Sequence, residues 1–253
     1  MEKSDTIVIA ISAYYQSSRA KKLTQHTTGV SEDTPLLSTL SRVAEAAHRL
    51  RSQGHRVIIC TTGVVNIGVL DHRGSERCPD AISKDALAAL GQGKLAALWG
   101  QLFSHLRQST AHIPISKDDI KSTARLKKIR QMLKDLLMHE AIPIVSVLGR
   151  ILPAINQSSE AGYVGCLVAS MIGSTYIVVA RTKRGDINQT ELRTCLDLAL
   201  MVTTAMGIGV GNFAAVYLDY LNHDAKKPID YGCKLIIEDV GSLDKLPRTI
   251  ERL

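Results

Sequence analysis

The 253-residue sequence lacks the features that mark membrane-spanning and exported proteins. No apolar run approaches the length of about 18 residues that a membrane-spanning helix needs. The first residues, MEKSDTIVIAIS, show neither the basic start and long apolar core of a secretory signal nor the Arg- and Ser-rich pattern of a transit peptide. We therefore expect a cytoplasmic protein that does not associate with a membrane.

Aromatic residues and cysteines are also scarce. Aromatics make up 4% of the chain, so the core has to be built from Val, Ile, Leu and Ala. The five cysteines are odd in number, scattered and never spaced as C-x-x-C, which argues against a structural zinc or a disulfide framework. Most lie within apolar segments, as reduced, buried thiols do. The formal net charge of +7 suits acidic ligands or partners but identifies none of them.

Short β-branched runs alternate with amphipathic helices along the chain. The runs predict buried strands at Thr6–Ile11, Val57–Cys60, Ile113–Ile115, Ala141–Leu148, Tyr176–Ala180 and Lys234–Glu238. The apolar periodicity predicts helices at Thr39–Gln53, Asp118–Met138, Gly162–Ile172, Glu191–Met206 and Phe213–Leu221. Residues 12–37 predict an irregular loop, and residues 66–84 a linker between elements. Because internal repeats and domain boundaries are absent from the pattern, it predicts one α/β domain.

Two glycines interrupt the helical pattern of Asp85–Phe103, DALAALGQGKLAALWGQLF. Each glycine costs a helix about 1 kcal/mol relative to alanine. Gly91 and Gly93 therefore indicate either a break between two core helices or a place where another backbone packs closely. The pattern alone favours the break.

Thr61, Thr62 and Gly63 follow the second predicted strand directly. The strand-helix-strand order places them at the carboxyl end of a parallel strand, where open α/β sheets bind ligands. An ordinary strand-to-loop turn fits the same three residues.

The predicted helix Asp118–Met138 has a strongly basic surface. Six cations lie on it outside the apolar stripe: Lys121, Arg125, Lys127, Lys128, Arg130 and Lys134. Such a face could contact nucleic acid, but no aromatic residues are interleaved with the cations and no nucleic-acid motif is present. We therefore expect a solvated face and no nucleic-acid partner.

Two long segments resemble glutamate 5-kinases of the amino acid kinase family. RVAEAAHRLRSQGHRVIICTTGVVNIG, from Arg42, resembles the family's first helix and the strand that ends in Ser-Ser-Gly or Thr-Ser-Gly. AISKDALAALGQGKLAALWGQLF, from Ala81, resembles the helix pair around its Gly-Gln-Ser/Gly motif. The resemblance implies a three-layer α/β/α sandwich with a mainly parallel central sheet. Residues 1–253 would form this single domain, without the RNA-modification-type accessory domain that is common in bacterial members.

The family transfers the γ-phosphoryl group of ATP to the side-chain carboxylate of glutamate, the committed step toward proline. ATP-Mg is thus the implied cofactor. This reaction needs lysines that neutralise the phosphoryl oxygens and a carboxylate that organises them with magnesium. The family's first-strand motif, Lys-Leu-Gly-Thr/Ser-Ser, places its lysine at Ala10 and its glycine at Ser12.

Four further motifs of the family are changed or nearly lost. Asn-Glu-Asn-Asp becomes Ser146-Val147-Leu148-Gly149, and Gly-Asp-Asn-Asp becomes Ser159-Glu160-Ala161-Gly162, so that Gly162 stands where the organising carboxylate is expected. The Thr-Asp pair that meets the nucleotide becomes Arg181-Thr182, and the late Gly-Gly-Met-x-Thr-Lys motif has only a faint echo in Gly209–Val216. Removing one charge-stabilising group can cost about 3–4 kcal/mol of barrier height.

The residues that survive lie on the substrate side. The resemblance implies that Thr61, Thr62, Gly63, Gly91 and Gln92 form the substrate-binding site. Lys183 and Arg184 are the candidate nucleotide-binding residues, although a charged turn is usually only solvated. No catalytic residue is assigned, and no metal ligand is predicted.

Two hypotheses of different classes follow. The chain is either a non-catalytic homologue that acts through assembly or regulation, or a divergent kinase that uses ATP-Mg on glutamate or a related small acid. The resemblance also implies a homodimer or a hetero-oligomer with a related kinase, because members of the family pair through helices on one side of the sheet.

Overall fold

A computed structural model describes residues 5–12, 34–72, 82–152, 157–181, 189–207, 215–218 and 233–252. Within these ranges seven strands form one sheet in the order β3-β4-β2-β1-β5-β7-β6, and all six strand pairings are parallel. The strands are β1 (Thr6–Ser12), β2 (Arg56–Thr62), β3 (Thr110–Ile115), β4 (Ile142–Val147), β5 (Tyr176–Arg181), β6 (Ala215–Leu218) and β7 (Cys233–Asp239). The predicted parallel sheet is therefore confirmed.

Helices cover both faces of this sheet. They are α1 (Thr34–Ser52), α2 (Val64–His72), α3 (Lys84–His105), α4 (Lys117–Ile120), α5 (Thr123–Met138), α6 (Gln157–Ile172), α7 (Gln189–Ala205) and α8 (Leu246–Glu251), with a 3₁₀ segment at Val240–Lys245. One core contains α1, α2, α3, the 3₁₀ segment and α8, and the other contains α4 to α7. Alternate residues of β1 enter the two cores, Ile9 on the first side and Ala10 on the second. The three-layer α/β/α sandwich is confirmed.

The predicted helix break at Gly91 is wrong. Residues Lys84–His105 form one helix of 22 residues, which begins where the Ser83 hydroxyl accepts a hydrogen bond from the Ala86 N–H at 3.2 Å. A Cβ on Gly91 would overlap the Val64 carbonyl oxygen of α2. A Cβ on Gly68 of α2 would overlap the Leu87 carbonyl oxygen of α3 in the same way. The two helix backbones touch at both glycines, so close approach is the correct explanation.

Three other predicted elements differ from the structure. The expected linker at residues 66–84 contains most of α2, a short helix held by its contact with α3. The single helix Asp118–Met138 is two helices, because Ser116 and Asp119 form a capping box on α4 and Ser122 caps α5. The predicted helix Phe213–Leu221 is wrong where it is described, since Ala215–Leu218 is the strand β6.

Other elements were predicted with the correct type but different bounds. Helix α1 begins at Thr34 and not at Thr39, and α6 begins at Gln157 and not at Gly162. Residues 13–33, which make up most of the predicted loop, lie outside the described residues. No described helix is long and apolar enough to cross a membrane.

The expected burial of the cysteines is confirmed at the four described positions. Cys60, Cys166, Cys195 and Cys233 are all buried. Burial is the main cause that raises the pKa of the Cys166 thiol to about 12, which keeps it protonated at neutral pH. Cys78 lies outside the described residues.

Candidate functional site

The predicted substrate-side residues lie where β1, β2 and β4 end together. Ser12 is paired with Thr62, and Thr61 is paired with Ser146 in the parallel register. Carboxyl ends of parallel strands therefore meet at one edge, the usual ligand-binding edge of an open α/β sheet. Thr61, Thr62 and Ser146 are completely buried at this edge.

Gly63 turns the chain from β2 into α2. Its φ of +95° lies in the left-handed region, which a residue with a Cβ adopts only at a cost. The Gly63 carbonyl accepts hydrogen bonds from the Asn66 N–H at 3.0 Å and the Ile67 N–H at 3.3 Å, and so begins α2. A glycine is thus required here by the backbone alone, with or without a ligand.

The α2–α3 contact brings Gly91, another predicted substrate-side residue, next to the start of α2. Gly91 packs on the backbone of Val64, the residue that follows Gly63. Gln92 is half-buried, and its Oε1 is a buried acceptor without a hydrogen-bond partner in the described ranges. The Ser146 hydroxyl is likewise buried and has no hydrogen-bond partner in the described ranges. These two groups retain hydrogen-bonding capacity, and both are uncharged.

The position that corresponds to the family's phosphate-binding lysine is enclosed. Ala10 has no exposed surface and faces the α6 side of the sheet. A Cβ placed on Gly165 of α6 would come within 2.8 Å of the Ala10 Cβ, closer than carbon atoms pack. Helix α6 therefore lies directly on Ala10, and a longer side chain at this position would meet α6. The resemblance predicted that Ala10 stands at the lysine position, but the sequence alone did not reveal the contact with Gly165.

Glu160, the acid retained near an expected acidic position, is fully buried at the start of α6. Its Oε1 accepts hydrogen bonds from the Ile151 and Leu152 N–H groups, both at 2.6 Å, and its Oε2 lies 2.8 Å from Arg150 Nε. Burial raises the pKa of Glu160, while these hydrogen bonds and the Arg150 charge oppose the rise. Both oxygens are thus used within the segment between β4 and α6. Sequence reasoning missed this role because it placed Glu160 near a motif acid and gave no sign of its pairing with Arg150.

The predicted nucleotide-binding residues Lys183 and Arg184 lie outside the described residues, as does Thr182. Gly162, where the organising carboxylate is expected, is buried in α6. Over the described ranges, His, Cys, Asp and Glu residues form no group of three placed to hold a metal ion. The predicted ATP-Mg site therefore rests on residues that lie outside the described ranges.

The basic face of α5 behaves as an exposed surface. Arg125 pairs with Asp119 at 2.9 Å, and Lys121 with Asp118 at 3.6 Å. Lys127 and Lys128 are exposed. This arrangement agrees with the expected solvated face.

Comparison with known proteins identifies the family to which this fold belongs. The sequence profile of the amino acid kinase family matches residues 22–185. A glutamate 5-kinase from a Nostoc species is 31% identical over 181 residues, which is 70% of this chain and 45% of the relative. A probable glutamate 5-kinase from Schizosaccharomyces pombe is 29% identical over 143 residues, 56% of this chain and 36% of the relative. The chain spans less than half of the length of these curated relatives.

Among solved structures, the carbamate kinase from Giardia lamblia bound to AMP-PNP superimposes with a TM-score of 0.54. The two sequences are 11% identical, and the match covers 98% of this chain and 97% of the carbamate kinase. At this identity the likeness is one of fold. Together with the family match, it shows that the chain belongs to the amino acid kinase family and is similar to the glutamate 5-kinases within it.

Proposed function

We propose that this protein is a non-catalytic, cytoplasmic glutamate 5-kinase homologue that acts through assembly or regulation. The main support is Ala10, which stands in place of a phosphate-binding lysine and is covered by α6 at Gly165. Phosphoryl transfer depends on groups placed to neutralise charge on the transferred phosphoryl. A buried alanine in contact with a helix cannot supply such a group.

Glu160 gives independent support. Its two oxygens already hold the Ile151 and Leu152 N–H groups and the Arg150 guanidinium. A carboxylate used in this way cannot also organise magnesium without breaking those contacts. The substitution at Gly162 removes the acid that would otherwise do so. In this proposal Glu160 and Gly162 therefore serve packing in place of binding phosphate and magnesium.

A divergent kinase is the second candidate. The free hydrogen-bonding capacity of Gln92 Oε1 and Ser146 Oγ, beside Thr61, Thr62 and Gly63, favours a retained site for a small, acidic ligand. In this case ATP-Mg would be held by residues other than those of the family's motifs, with Lys183 and Arg184 as candidates.

Calorimetric titration separates the two candidates. The chain is titrated with ATP-Mg and, separately, with glutamate, and the Nostoc relative serves as the binding-competent control. The non-catalytic proposal predicts no saturable heat from ATP-Mg in this chain and clear saturation in the control. Saturable ATP-Mg binding would favour the divergent kinase, and binding of glutamate alone would leave a ligand-responsive regulator.

We further propose that the assembly is a homodimer formed through the outer face of α3. This face is lined by exposed small and apolar residues: Ala86, Leu90, Gly93 and Ala97. Leu90 exposes 45% of its surface, and a Cβ on Gly93 would touch nothing in the described chain. Small residues spaced in this way let a second helix approach closely, and one such face can pair with its own copy.

A further inference from the structure

A groove lies between the last turns of α1 and the end of the described chain. It is near the amino ends of the strands, whereas the candidate site lies at their carboxyl ends. It has a volume of about 770 Å³, within the range of small-molecule sites. His48, Arg49 and Gln53 of α1 line the groove on one side. The residues that line the other side include Lys245 and Arg248. The last turn of α1 leads into the first residue of β2, so this is the amino edge of the sheet.

The groove has a fixed frame. The Arg49 guanidinium donates a hydrogen bond to the Asp244 carbonyl at 3.4 Å, and Gln53 Nε2 donates one to Glu251 Oε1 at 2.8 Å. The backbone of the 3₁₀ segment is further held by Arg42, which donates to the Gly241 carbonyl at 3.5 Å. These contacts join the two sides along their length, so the groove does not need a ligand to form.

Positive charge in the groove is only partly used. Arg49 is paired with Glu45 at 3.3 Å. Lys245 and Arg248 are exposed, and neither forms an ion pair with another described residue. Two cations that form no ion pair with a described residue, on a concave surface, attract anions.

Acidic groups in the same groove narrow the ligand class. Asp244 and Glu251 also line it, and their carboxylates would repel a simple anion but accept hydrogen bonds from hydroxyl groups. The fitting ligand therefore carries both negative charge and hydroxyl groups.

We propose that this groove binds a small hydroxylated anion, either a sugar phosphate or a hydroxylated polycarboxylate. The phosphate or carboxylate would lie against Lys245 and Arg248, and the hydroxyl groups would donate to Asp244 and Glu251. This proposal is independent of the one for the carboxyl edge, because the two sites share no residue.

The test is calorimetric titration of the full chain at low salt with ribose 5-phosphate and with citrate, and with ribose as the uncharged control. We expect saturable binding of at least one anion and none of ribose. The double variant K245Q/R248Q should weaken this binding by about tenfold or more, since it removes both charges that would meet the anion. The matched variant K127Q/K128Q removes the same charge from α5 and should leave it unchanged.

Saturation by ribose 5-phosphate would identify the ligand as a sugar phosphate, and saturation by citrate would identify it as a hydroxylated polycarboxylate. Equal weakening by both double variants would overturn the proposal, because it would mean that binding follows net charge alone. The absence of saturable binding of either anion would overturn it too. Thermal melting of both variants checks that they remain folded, and the substituted side chains are exposed, so melting temperatures close to that of the parent chain are expected.

Discussion

At Gly91 the missing side chain decides how two helices meet. The Val64 carbonyl occupies the space that a Cβ would need, and Gly93, two residues later on the same helix, has no atom within 4 Å of its Cβ position. The two glycines of one short motif therefore differ completely in their surroundings. In the sequence the two glycines look alike, since both interrupt one apolar pattern.

This difference is testable on one helix. Gly91→Ala should destabilise the protein by about 1–3 kcal/mol, because α2 must move away to relieve the overlap. In the Leu90→Glu background, where the proposed dimer cannot form, Gly93→Ala should instead stabilise the protomer by up to about 1 kcal/mol through helix propensity. Urea unfolding of both variants measures the two changes. Equal effects at the two positions would contradict the close contact between α2 and α3.

His112 on β3 is the residue from which we expect a pH effect on stability. Both ring nitrogens are buried without a hydrogen-bond partner in the described part of the chain, and burial lowers the pKa of the imidazole. The unfolded chain therefore takes up a proton near its ordinary pKa of about 6.5, before the folded protein does. Stability contributed by neutral His112 is complete above that pH and is lost as the pH falls.

The measurement compares His112→Gln with the parent chain. Between about pH 7.5 and about pH 5.5 the parent should lose more free energy of unfolding than the variant, because only the parent carries this proton-linked loss. Urea unfolding at each pH gives both slopes. Parallel slopes would show that His112 is already protonated without cost in the folded protein.

At the scale of elements, Glu160 fixes the path between β4 and α6. Its Oε1 accepts two backbone hydrogen bonds, and its Oε2 faces Arg150. Replacing it with glutamine removes the charge and one acceptor while keeping the shape. A buried donor that loses its partner costs about 1–3 kcal/mol, more when it is charged.

Glu160→Gln should therefore destabilise the protein by about 2 kcal/mol or more. Glu140 offers a matched control, since it also pairs with an arginine, Arg51, but at 3.8 Å and with 84% of its side chain exposed. Glu140→Gln should change the stability by less than about 0.5 kcal/mol. A Glu160 variant as stable as the Glu140 variant would show that the buried carboxylate does not hold this segment.

Elements whose own sequence determines their structure were predicted, and those held by neighbours were not. The buried strand β2 announces itself by a run of apolar, β-branched residues, and the helix α1 by its apolar stripe. Helix α2 has no such stripe: its apolar residues are not confined to one side, it contains Gly68, and it packs closely against α3. The strand β6 was predicted as a helix because short apolar runs are ambiguous, and its pairing with β7 decides the outcome.

The residues of the candidate site likewise fall into those that the sequence could place and those that it could not. Thr61, Thr62 and Gly63 could be placed from the sequence because they follow a clear strand. The enclosure of Ala10 could not, because the contact with Gly165 joins residues more than 150 positions apart. The ion pair between Arg150 and Glu160 could not be predicted either, because it depends on how the chain folds after β4. A departure from a family motif can be predicted from a sequence, but the contacts that the departing residues make are visible only in three dimensions.

At the scale of the whole molecule, the outer face of α3 carries the proposed dimer. Leu90→Glu places a charge in the centre of that face and should convert the dimer to a monomer in sedimentation velocity. Met138→Glu is the matched control, since Met138 is 71% exposed on the other side of the sheet and should leave the dimer intact. A parent chain that sediments as a monomer, or a dimer unaffected by Leu90→Glu, would contradict this interface.

The central claim is that the family's fold is kept here while its phosphoryl-transfer machinery is not. Glutamate-dependent release of ADP from ATP-Mg tests it most directly, with the Nostoc relative as the active control under the same conditions. The account predicts that ADP release by this chain stays at the glutamate-free background. Release that rises and saturates with glutamate would contradict the account, because Ala10 and Glu160 are proposed to serve packing and not phosphoryl transfer.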